Sequence, residues 1–269
     1  MLESFGTVVF LERATAMALV VARLGGFIVI SPFPGSWMPQ RVKVATVVTL
    51  AFVLGTALPG PSTSVVGAGG GIDVLRLAGL AASDFALGAL VGASFRFFVD
   101  AAELMAGLVS QAAYLAQPIA FNPEMGGQSQ ILAQLASLLA LLLILGTGTH
   151  RIVLGYLLAS FTLLPSGVAL DLRMGALSLV SLVGRSLVVG MQLAFPVVAV
   201  SLTVQAALAL ISRVAPSLQI FSIGFAVIVA TGLLTFMASL PGIAVGMLDY
   251  FNGIAPFIDE LMRTLGGLP

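Results

Sequence analysis

Long apolar stretches alternate along this chain with short breaks rich in proline and glycine, and one of those breaks limits the fold more than any other feature. Between Pro118 and Gln134 the sequence reads PIAFNPEMGGQSQILAQ, set between two very apolar regions. Backbone at such a break leaves N–H and C=O groups without helical partners, and hydrocarbon penalises each bare group heavily. The segment therefore belongs at an interface, inside protein, or along a water-filled path. The last of these placements points to transport.

The surroundings of the break leave little room for a soluble fold. The chain is 59% hydrophobic and 8% charged, with a mean hydropathy of +1.14. A soluble domain carries roughly 25% charged residues, so this chain has too few to cover itself with a polar surface. A membrane or membrane-complex protein follows. Net charge is zero, which argues against a nucleic-acid partner. The chain has no cysteine, which removes disulfides, iron–sulfur clusters and cysteine-bound zinc. One histidine, His150, cannot build a histidine metal cluster, so no metal and no cofactor is expected.

A spanning helix needs about 20 mostly apolar residues. Candidates are Thr7–Ile30, Val42–Leu58, a long region from Val74 to Ala120, Ile131–Gly146 and the two halves of Ala176–Leu240. Ile152–Leu164 is shorter and reads as a re-entrant segment or the end of a neighbouring helix. The N-terminus carries Glu3, Glu12 and Arg13 in place of a basic leader, so the first apolar stretch is expected to stay in the mature protein. Breaks fall at SPFPGSWMP (31–39), at the glycine-rich 59–71, at GTGTHR (146–151) and at LPSGVALDLR (164–173). Pro216 is expected to kink or end a helix. After Pro241 the chain becomes more polar and reads as an amphipathic tail with Asp249, Asp259, Glu260 and Arg263. The expected class is all-α, with several membrane helices. Basic residues are spread thinly over the loops and set no orientation.

Several charges sit where lipid would penalise them: Arg23, Asp84, Arg96, Asp100, Glu103, Arg185 and Arg213. Such groups face protein or water and pair with one another. Arg96, Asp100 and Glu103 are spaced i, i+4, i+7, and Gly107, Gln111 and Tyr114 continue the same helical face. This polar seam has three readings: it packs inside a bundle or grips another subunit, it lines a water path, or it relays protons. A weaker stripe joins Ser178, Ser181, Arg185 and Gln192, where small hydroxyls favour tight helix packing. The glycine pairs Gly88/Gly92 and Gly242/Gly246 fit close helix approach.

Catalytic patterns are missing. No GxxxxGK[ST] phosphate loop occurs, and one histidine rules out HExxH. His150 sits in a turn at a helix end, a setting for capping or for facing water. Asp84 and Asp100 lie in one continuous segment, whereas an intramembrane aspartyl protease draws its acids from two. The chain is expected not to be an enzyme.

Three stretches carry a family resemblance. ARLGGFIVISPFPGSWMPQRVKV (22–44) resembles the N-terminal signature of the flagellar biosynthetic protein FliR and its injectisome counterpart SctT. The run 103–165 resembles the same family through its NPxxGxQS core and the turn-His-Arg that follows. ISRVAPSLQIFSIGF (211–225) is similar to the family's R-x-x-P-x-x-N-x-F segment. Order, spacing and length agree over essentially the whole chain.

The resemblance implies an export-gate architecture of long helical hairpins and a single-copy subunit of the type III export gate. That subunit would complete a closed conduit for unfolded protein substrates in the bacterial inner membrane, at the flagellar basal body. Implied partners are FliP-like and FliQ-like subunits and a FlhB-like switch protein. Residues 1–165 would form a FliP-like part, and residues 166–269 a FliQ-like hairpin with an amphipathic tail. The family's plug loop corresponds to Phe121, Asn122, Pro123, Gly126, Gly127, Gln128 and Ser129. Arg213, Pro216 and Gln219 would mark a helix break that sets subunit packing. The seam of Arg96, Asp100, Glu103 and Gln111 suits helices held by neighbouring subunits. Two departures stand out: Gln219 replaces the family's usual Asn, and Ala226 and Ile228 stand where proline and lysine are usual. The wording Phe-Ser-Ile-Gly-Phe leans toward the flagellar branch. An injectisome gate subunit and a small secondary transporter are the alternatives.

Overall fold

A computed structural model describes residues 2–32, 39–57, 73–114, 138, 141–142, 144–166, 171–214 and 220–266. The described residues include the helices α1 (Leu2–Ile30), α2 (Gln40–Ala57), α3 (Val74–Ala112), α4 (Thr149–Leu163), α5 (Leu172–Val214), α6 (Ile220–Asn252) and α7 (Ile254–Leu265), with further helical residues at 138, 141–142 and 144–147. No strand occurs among the described residues. The all-α expectation holds, and among the described residues four helices are long and apolar enough to cross a membrane.

The helix starts have local causes. Asp73 accepts the backbone N–H of Arg76 at 3.2 Å, and Asp171 accepts that of Met174 at 3.1 Å. In both cases an aspartate satisfies an N–H that the first helical turn leaves bare. At the other end, α3 stops at Ala112, short of the Ala120 expected from hydrophobicity. Tyr114 takes a left-handed conformation (φ 55°), which no α-helix can continue through. Tyr114 thus leaves the helical face on which the seam was drawn. The GTGTHR turn is confirmed at Gly148, whose φ of 74° suits glycine, with α4 starting at the next residue.

The break expected at Pro216 lies outside the described residues, between α5 (to Val214) and α6 (from Ile220). Pro241 does not end a helix: α6 runs through it to Asn252, as α5 runs through Pro196. Each proline removes one N–H and frees one carbonyl, a local loss that a long, packed apolar helix tolerates. The amphipathic tail starts later than expected, after Gly253, and is the helix α7.

The chain divides into two units. The first contains Met1–Phe97, Thr149–Leu182 and Ile254–Pro269. Its core joins Leu19, Leu24 and Phe27 of α1 to Leu87, Val91 and Phe95 of α3, with Val153 and Leu157 of α4. α2 packs on α1 through Val47, Ala51 and Gly55, one helical stripe, and the missing Gly55 side chain admits Met17. α1 and α3 approach until backbones touch. A Cβ on Gly26 would overlap the Phe85 carbonyl, one on Gly88 the Arg23 carbonyl, and one on Gly92 would lie 2.7 Å from the Phe27 oxygen. The Gly88/Gly92 expectation therefore holds. The apolar face of α7 is buried, and the helix packs on α4.

The second unit contains Phe98–Gly148 and Val183–Gly253. The C-terminal part of α3 buries Phe98, Ala102, Met105 and Val109 there, with Ala194 and Val197 of α5 and Ile228, Ile243 and Met247 of α6. Glycines again set the closest contacts. A Cβ on Gly190 would lie 2.8 Å from the Ala101 oxygen, and one on Gly232 2.5 Å from the Ala113 Cβ. Of the pair Gly242/Gly246, only Gly246 is confined, by Leu193. Phe98 stacks on Tyr250 at 4.5 Å between ring centroids.

Candidate functional site

The first unit holds the most developed polar cluster among the described residues, built around Arg23 of α1. Arg23 is 1% exposed and Asp84 of α3 is 2% exposed. Arg23 Nε donates to Asp84 Oδ1 at 2.8 Å, and Nη2 donates to the same oxygen. Nη1 donates to the Ser160 carbonyl at 2.8 Å and to its Oγ at 3.2 Å. Nη2 also donates to the Leu164 carbonyl at 2.9 Å. A guanidinium has five N–H donors, and these bonds employ all of them. Ser166 Oγ donates to the other carboxylate oxygen of Asp84 at 2.6 Å. The guanidinium carbon lies 4.4 Å from the centroid of the Phe161 ring, within cation–π range.

The arrangement does more than neutralise two charges. The last carbonyls of a helix lack partners within it, and positive charge near them is favourable. Arg23 occupies that position for α4, whose final residue is Leu163. One side chain thus ties α1 to α3 through Asp84 and holds the end of α4 through two backbone oxygens, that of Leu164 and that of Ser160, which also accepts the Leu164 N–H. The second unit repeats the device with a neutral group. Gln205 of α5 donates to the Ala112 carbonyl at the end of α3, at 3.0 Å.

Of the membrane-embedded charges singled out from sequence, the structure brings Arg23 and Asp84 together. Asp84 is committed on both oxygens to Arg23 and Ser166. Arg96, Asp100, Glu103 and Gln111 share one face of α3, opposite a face buried through Phe95, Phe98, Ala102, Met105 and Val109. Arg96 and Gln111 are exposed, and Asp100, Glu103 and Gly107 are half-buried. Ser181, Arg185 and Gln192 lie exposed along α5. Arg213 is exposed in the last turn of α5. The loop residues Phe121, Asn122, Pro123, Gly126, Gly127, Gln128 and Ser129 lie outside the described residues, as do Pro216 and Gln219.

Ser160, Ser166 and Gln205 were not anticipated from sequence. Their nearest signal was the rule that a membrane-embedded charge needs a partner, but that rule names no residue. Leu164 gave no signal, since it contributes only a backbone oxygen.

Comparison with known proteins adds a separate line of information. The sequence profile of the bacterial export proteins, family 1, matches residues 14–254. The flagellar biosynthetic protein FliR of Caulobacter vibrioides is 29% identical over 239 residues, 87% of this chain and 92% of that protein. FliR of Pectobacterium carotovorum is 26% identical over 226 residues, 84% of each chain. FliR of Escherichia coli K12 is 28% identical over 229 residues, 83% of this chain and 85% of that protein.

Proposed function

Because the chain belongs to the bacterial export proteins, family 1, we propose that it is a subunit of the flagellar type III protein-export apparatus. Its place is the bacterial inner membrane at the flagellar basal body. The observation that carries this reading is the family match, which runs from residue 14 to residue 254. The three FliR relatives, aligned over 83% or more of the chain, give it the flagellar direction.

In finer detail, one copy of the subunit assembles with FliP-like and FliQ-like partners, and a FlhB-like protein acts as the switch. Residues 1–165 take the FliP-like role and residues 166–269 the FliQ-like role. The loop 121–129 obstructs the passage at rest, and its displacement admits unfolded substrates. The subunit acts passively, by completing and closing a conduit, and energy enters elsewhere in the apparatus.

Helix length supports a role inside an assembly. α3 has 39 residues and α5 has 43, which corresponds to about 58 Å and about 64 Å at the helical rise. The hydrocarbon layer is only about 30 Å thick, and a tilt of about 40° would still leave α5 spanning about 49 Å. Large apolar side chains stay exposed along α5 from Leu172 to Val214. Those beyond the hydrocarbon call for neighbouring protein.

Expression with and without the FliP-like and FliQ-like subunits of the same bacterium tests the reading. A stable complex formed only on co-expression, with this subunit at one copy, is the expected result. A monodisperse lone chain that ignores those partners would overturn it.

A further inference from the structure

If residues 1–165 and 166–269 act as two parts of a gate, the connection between them is the obvious place for a hinge. The contacts on either side of that connection argue the opposite. The end of α4 is fixed by Arg23, which holds the Leu164 carbonyl, and by Ser166, which is bonded to Asp84. The start of α5 is fixed by α7. The Asp171 N–H donates to the Leu265 carbonyl at 3.2 Å. Gly175 lies under the Leu265 side chain: a Cβ there would come 2.7 Å from Leu265 Cδ2 and 3.1 Å from Leu90 Cδ1. α7 is in turn held by its buried face and its packing on α4. All these residues belong to the first unit.

We propose that the end of α4 and the start of α5 are locked in place, with the C-terminal helix α7 as their clasp. The end of α4 and the start of α5 keep their positions relative to α1 and to α3 of the first unit while the gate works, and any opening movement in this subunit arises elsewhere. The argument rests on the flanking residues, and only its secretion assay depends on the export-subunit reading. Hinges are a few positions that absorb backbone rotation. Here the flanking positions are occupied by a saturated buried arginine, a serine–carboxylate bond, a backbone bond and a glycine that a leucine covers.

The chain has no cysteine of its own, so an engineered pair can be read without interference. Gly175→Cys with Leu265→Cys suits the geometry, because the Gly175 Cβ position lies 3.5 Å from Leu265 Cγ. That is close to the separation a disulfide requires across one sulfur. The same substitution removes the leucine that would otherwise clash. Pairing is counted by maleimide labelling in membranes of cells that co-express the FliP-like and FliQ-like subunits, and because it reads a local contact and not secretion, it tests the joint even if the export reading fails. Secretion is then measured in cells whose own subunit is deleted, oxidised and reduced, with the wild-type chain as the control for the oxidant.

The expected result is efficient pairing with secretion within about threefold of the reduced sample. Thiols that do not pair would overturn the clasp. A larger loss of secretion on oxidation, reversed by reductant, would show that the joint flexes. If the reduced double variant does not export, a size swap takes its place. Gly175→Leu alone should lower secretion, and adding Leu265→Ala should restore it. Absence of that loss, or of the restoration, would overturn the proposal.

Discussion

Replacing Arg23 by glutamine tests the energetics of the buried cluster most directly. The substitution removes every bond that the guanidinium makes to Asp84, Ser160 and Leu164. Asp84 would remain 2% exposed, with Ser166 as its surviving side-chain donor. Removing one partner of a buried pair costs about 3–5 kcal/mol, because a charge is left uncompensated. That is a large part of the about 5–15 kcal/mol that holds a typical domain together. Asp84→Asn should cost less, since the guanidinium keeps the Ser160 and Leu164 oxygens and the Phe161 ring. The double variant Arg23→Gln/Asp84→Asn removes both charges and leaves mainly the Leu164 carbonyl without its guanidinium donor, since the Ser160 carbonyl keeps the Leu164 N–H, a cost of about 1–3 kcal/mol. It should therefore be more stable than the Arg23→Gln single variant. Denaturant unfolding of the co-purified complex, in parallel with the chain's steady-state level in membranes, would measure this order. A double variant no more stable than the single, or a single variant within about 1 kcal/mol of wild type, would refute the reasoning.

The glycine contacts predict a contrast between two alanine substitutions on α3. Gly88→Ala places a Cβ against the Arg23 backbone and should destabilise by about 1–3 kcal/mol, whereas Gly107→Ala meets nothing within 4 Å and should gain up to about 1 kcal/mol from helix propensity; thermal unfolding of both variants decides it. Gln205→Ala uncaps the Ala112 carbonyl and should cost about 1 kcal/mol in the same assay. Glu103→Ala and Gln111→Ala, on the polar seam of α3, should leave stability within about 0.5 kcal/mol yet weaken co-purification with the FliP-like and FliQ-like subunits. Unchanged co-purification would remove the seam from the assembly interface.

What could be read from sequence depended on whether a signal was carried by side chains close together in the chain. The apolar segments were legible because each declares itself within one turn or two, and α1, α2, α5 and α6 lie where such runs occur. Arg23 and Asp84 were recognisable as charges in need of partners, since each stands nearly alone in an apolar stretch. Their pairing was not recognisable, because it joins residues 61 positions apart on different helices, and nothing around either residue specifies the other. The capping of α4 was further out of reach. Its acceptors are backbone oxygens of Ser160 and Leu164, and every residue offers a backbone oxygen. Gly88 and Gly92 were legible as a pair, but Gly242 and Gly246 have the same spacing and only Gly246 meets a neighbouring side chain. Spacing states what a helix face permits; the opposing helix decides whether it is used.

Pro241 shows the same limit from the other side. Proline is a strong local breaker because it loses one hydrogen bond and crowds the preceding turn. That local cost decides the outcome only where nothing larger opposes it. Around Pro241 and Pro196 the helix is anchored on both sides, by Ile228 and by Ile243 and Met247 in one case, and by Ala194 and Val197 in the other. Straightening the chain into one continuous helix keeps those residues in register with the second unit's core. A break would cost several buried side chains to relieve one missing bond. The same weighing explains why Arg23 remains in a helix that would cross lipid more easily without it. Exchanging it for a leucine removes a charge from the membrane, but it also uncaps α4 and strands Asp84, and those losses lie on two other helices.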